Sequence, residues 1–262
     1  MTVDVISALY GDADSLREPA HQSPLPVDRW ILISDRPRKS EAWEVITKPT
    51  NWTQRVAARH PKCLSHLYSD AEVVVWVDAQ FEIVGSEFVG DLVGLLDNAD
   101  VAMFRHPWLS WVDEVEATVR DRRYSDPQQF RRQMAQFEDP GAHWASCVMA
   151  RRMSPAVIAF EREWWTEVRC HSGKDQIALS PLLVRHGLKV APINGTYRQH
   201  SGLILHDHHW GPWRKRWEDL KAQVGWRCAL CHAANRPKTE HCVNSWLIDG
   251  LRRGCNGTRE ER

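Results

Sequence analysis

Six residues, Glu72–Val77 (EVVVWV), constrain this chain more than any others. An unbroken run of β-branched and aromatic side chains suits a strand buried on both faces, and such strands belong to sheets covered by helices. Asp78 follows at once. A carboxylate in that position either caps the next turn or projects into the crevice at the carboxyl edge of the sheet, where ligands of α/β proteins bind.

The rest of the pattern extends this reading. Short apolar runs predict strands at Val3–Leu9, Trp30–Ser34, Trp43–Ile46, Val101–Phe104, Cys147–Ala150 and Leu188–Ala191. Helical spacing runs over 51–68, 89–96, 113–122, 127–137, 155–168 and 176–186, and Pro61 argues against one unbroken helix in the first of these. Strands alternating with helices predict a three-layer α/β domain with a mainly parallel mixed sheet. Three strand ends carry polar clusters: YGDAD, SDRP and WVDAQ. The composition shifts near Trp210-Gly211-Pro212, which divides the chain into a domain over 1–210, a charged helical connector over 211–225 and a small Cys-rich module over 226–262.

With 262 residues, 43% hydrophobic and 26% charged, one large domain plus a small module is expected. Basic and acidic residues balance at 34 each, which argues against a nucleic-acid binder as a whole, although the tail beyond Trp210 is locally basic. The first ten residues carry Asp4 and no basic segment, and no apolar run approaches the roughly 18 residues of a membrane span, so a soluble, cytoplasmic protein is expected. Four of the seven cysteines fall between Cys228 and Cys255, and clustered cysteines without a secretion signal read as metal ligands before disulfides. The fourteen tryptophans read as core material before stacking platforms.

Several residues are candidates for chemistry. Asp78 offers an oxygen ligand for a hard cation such as Mn²⁺ or Mg²⁺. The segment 200–209 (HSGLILHDHH) adds imidazoles that suit Mn²⁺, with His206 and His208 as the candidates beside a surface-cluster reading. Arg55, Arg59 and Lys62 recur at helical spacing and either meet a diphosphate or form a solvated face. Asp175, before a helix, is either a base for an acceptor hydroxyl or a helix cap. Arg105 and His106 close a strand end, as a cleft wall or as structural residues.

Taken together, ALYGDADSL, SDRP, EAWEV, RVAARHPKCLSHLY, AEVVVWVDAQFEI, DVAMFRHPW, RRMSPAVIAFEREWWTEV and SGKDQIALSPLLV resemble, in order and spacing over roughly residues 3–200, the glycosyltransferase-like DUF616 family of GT-A type. The resemblance implies a nucleotide-sugar donor. It implies that Tyr10, Gly11, Asp12 and Asp35 line the nucleotide pocket and that Arg59 and Lys62 approach the donor phosphates. Arg105, His106 and Gln176 fall within matching stretches and join the donor-binding candidates. Asp78 stands where such enzymes carry an Asp-x-Asp metal motif, but here the motif is Asp-Ala-Gln, with one acid. Asp175 falls at an acceptor-side acid position.

Cys228-x-x-Cys231 is half of a zinc site, and four ligands are expected among Cys228, Cys231, His241, Cys242 and Cys255. A structural Zn²⁺ there would let a short tail fold without a core of its own. The stretch EHCVNSWLIDGLRRGCNG also resembles the zinc segment of recombination endonuclease VII-like (His-Me finger) nucleases, in degenerate form. Its pairing with a transferase core hints at a bacterial or phage setting. The leading expectation is metal-assisted sugar transfer from a UDP- or GDP-sugar to an acceptor hydroxyl on protein, glycan, lipid or modified DNA. The alternatives are a nucleic-acid-binding or -modifying protein acting through its tail and a non-catalytic sugar-binding module.

Overall fold

The structure is a computed structural model that describes residues 1–20, 27–107, 110–120, 127–171, 173–206, 245–248 and 251–254. The chain divides into two compact units, Met1–His208 and His209–Arg262.

The first unit is built on a seven-stranded sheet. Its strands are β1 (Val3–Leu9), β2 (Arg29–Ser34), β3 (Glu44–Thr47), β4 (Val73–Val77), β6 (Val101–Arg105), β7 (Trp144–Arg152) and β8 (Val190–Ile193), in the order β3-β2-β1-β4-β7-β6-β8. Six strands run parallel, and β7 runs antiparallel to both β4 and β6. This is the mainly parallel mixed sheet that the alternating pattern predicts. Two short strands, β5 (Phe81–Ile83) and β9 (Leu203–Leu205), pair antiparallel in a separate ribbon. Neither was predicted: three residues are too few for a period-2 signal to stand out.

Side chains alternate across the sheet. Ile6, Ile31, Val74, Trp76, Met103 and Met149 face one layer, with α1 (Gln54–Cys63), α5 (Pro155–Cys170) and α6 (Asp175–Arg185) against them. Val3, Val5, Val73, Val75, Val77 and Phe104 face the other, covered by α2 (Phe88–Leu95) and the β5–β9 ribbon. A third cluster joins α6 to α3 (Trp111–Arg120) and α4 (Pro127–Met134) through Trp111, Val115, Phe130 and Ile177. Trp76, Trp111, Trp144, Trp164 and Trp165 are all buried, the core role expected of them.

As Pro61 leads one to expect, 51–68 is not one unbroken helix: α1 ends at Cys63 and a separate 3₁₀ turn follows over Ser65–Leu67, with Pro61 itself accommodated near the end of α1. Proline removes one N–H and crowds one carbonyl. Here it falls in the last turn, and burial of Ala57, Pro61, Lys62 and Cys63 against the sheet offsets that loss. Strand β7 is longer than predicted at both ends, and buried along almost its whole length. Its charged end, Arg151-Arg152, obscures the strand in the sequence. Arg151 is fully buried, bonds the Lys62 carbonyl at 2.9 Å and pairs with the buried Glu161 at 2.6 Å. Glu161 also accepts from Ser65 Oγ (2.6 Å) and the His66 amide (3.2 Å), so it ties α5 to the chain just beyond α1.

Of the second unit, two strands are described: β10 (Ser245–Ile248) and β11 (Leu251–Gly254), an antiparallel pair. The predicted zinc ligands Cys228, Cys231, His241, Cys242 and Cys255, the connector helix and His208 lie outside the described residues.

Candidate active site

The carboxyl ends of β1, β2, β4 and β6 share one edge of the sheet. Chain order reverses direction between β1 and β4, the switch point at which α/β sheets open a crevice. Asp78 lies just past β4, in phase with Val74 and Trp76, and so on the α1 side. There it meets the end of α1. Lys62 Nζ stands 3.1 Å from Asp78 Oδ1 and 2.7 Å from Asp175 Oδ2, while Arg59 Nε donates to Asp175 Oδ1 at 2.7 Å. Arg59 and Lys62 are one helical turn apart, so both reach the first residue of α6. Two cations and two carboxylates thus form one cluster.

The four members differ in access. Lys62 and Asp175 are buried, whereas the Asp78 side chain keeps 29% of its surface exposed. Asp175 also accepts from Ser146 Oγ (2.9 Å), and its carbonyl accepts from Trp164 Nε1 (2.8 Å). Burial pushes the Asp175 carboxyl up, but Arg59 and Lys62 outweigh it and hold it well below the usual range. Burial pushes Lys62 down, but Asp175 and Asp78 outweigh it, so the ammonium is held raised and charged. Asp78 is shifted the other way: burial, with the charge of Asp175, raises it despite Lys62 and the 2.7 Å bond from Trp76 Nε1.

The predicted nucleotide-pocket residues also come together. Gly11, at φ +74°, donates its amide to Asp35 Oδ2 at 3.0 Å, and its carbonyl accepts from Arg36 (3.2 Å) and Arg38 (2.8 Å). The positive φ makes glycine the residue that fits at position 11, whereas the Gln54 amide that a Cβ would meet is the far end of a flexible side chain and can swing aside. Asp12 pairs with Arg36. The Tyr10 hydroxyl donates to the Lys48 carbonyl at 3.1 Å. On the other face of the same strand ends, a narrow cleft of water-molecule size lies between Ser7, Leu32, Val77, Phe81 and the loop residues Leu16 and Pro19.

Other candidates stand elsewhere. Gln176 is buried and spends its amide on β7, accepting from the Ser146 amide (3.1 Å) and donating to the Trp144 carbonyl. Arg105 lies over the Trp144 ring, 5.0 Å from its centroid. His206 bonds Glu82 at 2.8 Å, and its amide donates to the Gln80 carbonyl, so β9 ends close to the Asp78-Ala79-Gln80 turn. The metal expected at Asp78 is not matched by this donor set. Asp78 Oδ1 is taken by Trp76 and Lys62, His206 is taken by Glu82, and Asp78 joins no group of three metal-type ligands among the described residues.

His106 is placed beside His143 and Glu114, a grouping the sequence did not signal because His143 belongs to no motif. Burial, then the neighbouring His106 and Lys174, push His143 down to about 3, and burial lowers His106 as well, so both rings are neutral at pH 7. Among the described residues no helix is long and apolar enough to cross a membrane. Searched against family models and against curated proteins, the sequence returns no match.

Proposed function

We propose that this chain is a glycosyltransferase that moves a sugar from a UDP- or GDP-sugar to an acceptor hydroxyl, with a GT-A-type domain as its catalytic unit. The observation that carries the reading is the Arg59–Lys62–Asp78–Asp175 cluster, set at the carboxyl edge of a mixed α/β sheet beside its switch point. The Gly11–Asp35 turn at the neighbouring strand ends supports a nucleotide on the same edge.

In this reading Lys62 and Arg59 supply the positive charge that the leaving diphosphate requires as the sugar–oxygen bond breaks. Preorganised cations of this kind act in the transition state without reorganisation. Asp175, enclosed and strongly acidic, is a poor proton acceptor. It serves as the positioning residue that aims both cations. Asp78 is the better base: its carboxyl is raised and partly exposed, and Oδ2 is only weakly engaged, 3.4 Å from Lys62. The acceptor hydroxyl's proton would pass to Asp78 Oδ2 as its oxygen attacks the sugar. The C-terminal cysteines remain a proposed structural zinc site, and a cytoplasmic location remains part of the proposal.

A second reading has one specific support. The cluster's charges already balance, two against two, which suits a domain that binds sugar nucleotides without turning them over. Incubation with a panel of UDP- and GDP-sugars separates the two. The proposal expects nucleotide release by the wild type, reduced about 10²–10³-fold in Lys62→Met and in Asp78→Asn. Equal rates for wild type and both variants across the panel would overturn it, and binding without release would select the second reading.

A further inference from the structure

Two histidines and a glutamate converge on the same sheet edge, apart from the Lys62 cluster. His106 follows β6, His143 precedes β7 and Glu114 lies in the first turn of α3. One ligand atom from each lies within 4.8 Å of the other two. The imidazole rings stand 4.6 Å apart at 40°, and His106 Nε2 is 3.9 Å from Glu114 Oε2. The backbone fixes the pair, because the His106 amide donates to the His143 carbonyl at 2.9 Å.

His143 points to a ligand independently of that proximity. It is only 8% exposed, and neither of its ring nitrogens has a hydrogen-bond partner. Buried polar atoms are overwhelmingly partnered, and leaving one unmet costs about 1–3 kcal/mol. A metal ion would satisfy one nitrogen.

We propose that His106, His143 and Glu114 bind one divalent transition-metal ion of the zinc class. Two imidazoles and one carboxylate form a three-ligand set that leaves a fourth position for water or another ligand. Bonds of about 2.0–2.2 Å need ligand atoms roughly 3.4 Å apart in a tetrahedron, so side-chain shifts of about 1 Å close the site. Lys174 holds Glu114 Oε1 and bonds Thr118. That leaves Oε2, the oxygen nearer His106, for the ion, with Lys174 acting as an outer partner that orients the carboxylate. Its positive charge limits affinity without blocking the ligand. Lys174 also immediately precedes Asp175, so an ion here would anchor α3 and the start of α6 beside the Lys62 cluster. The inference is independent of the transferase reading, since the ion has no part in the proposed sugar transfer.

The test is titration of the metal-stripped full-length protein with Co²⁺. The tail cysteines would report themselves by thiolate-to-metal charge transfer, whereas an imidazole–carboxylate site gives d–d bands without it. The expected result is one equivalent of the second kind, lost in His143→Gln and in Glu114→Gln, with a melting temperature that Co²⁺ raises more in the wild type than in either variant. Should His143→Gln not fold, His106→Gln replaces it. Absence of an equivalent with nitrogen–oxygen character, or its retention in both variants, would overturn the proposal.

Discussion

Lys62 is the residue on which the site turns, because one ammonium serves two carboxylates that arrive from separate parts of the chain. Removing a partner from a buried pair leaves an uncompensated charge, at a cost of about 3–5 kcal/mol. Asp175→Asn should therefore destabilise the protein strongly at neutral pH. Because the Asp175 carboxyl is held below its unfolded value, its contribution is complete above pH of about 4 and fades as the pH falls through the lower folded value. Urea unfolding of wild type and variant should show the gap narrowing below about pH 4; a gap that stays constant would contradict the assignment. Asp78, Arg59 and Lys62 were legible in the sequence, the first from its place after a buried run and the others from helical spacing. Their meeting with Asp175 was not, since 116 residues separate it from Arg59 and no local pattern encodes that distance. The same limit hid His143.

Among the elements, α1 positions the cations, and what positions α1 is a buried charge pair. Arg151 reaches from β7 to the Lys62 carbonyl while bound to Glu161 on α5. Arg151→Met should cost about 3–5 kcal/mol by stranding Glu161, and adding Glu161→Leu should recover part of the loss. Thermal or denaturant melts of the single and double variants check this; a double variant less stable than Arg151→Met would contradict it. The predicted strands and helices largely recur because each carries its own apolar period. Strand β7 was legible only in its middle, where Cys147–Ala150 is apolar. Its antiparallel direction was not legible, because direction is set by the connection through α3 and α4 rather than by composition.

At the scale of the whole molecule, the first unit brings the Gly11–Asp35 turn, the cation cluster and the His106–His143–Glu114 group to a single edge of one sheet. The alternating strand–helix pattern foretold that edge, since ligand sites of such sheets gather at strand carboxyl ends. In the proposed transfer, the cation cluster would meet the charge on a leaving diphosphate with side chains alone. Calorimetric titration of UDP and GDP, each beside its uncharged nucleoside, into wild type and Lys62→Met measures this directly. One diphosphate should bind the wild type at least about tenfold more tightly than its nucleoside, a difference of about 1.4 kcal/mol, and Lys62→Met should erase the difference. Lys62→Met binding that diphosphate as tightly as the wild type, or neither diphosphate binding at all, would contradict it.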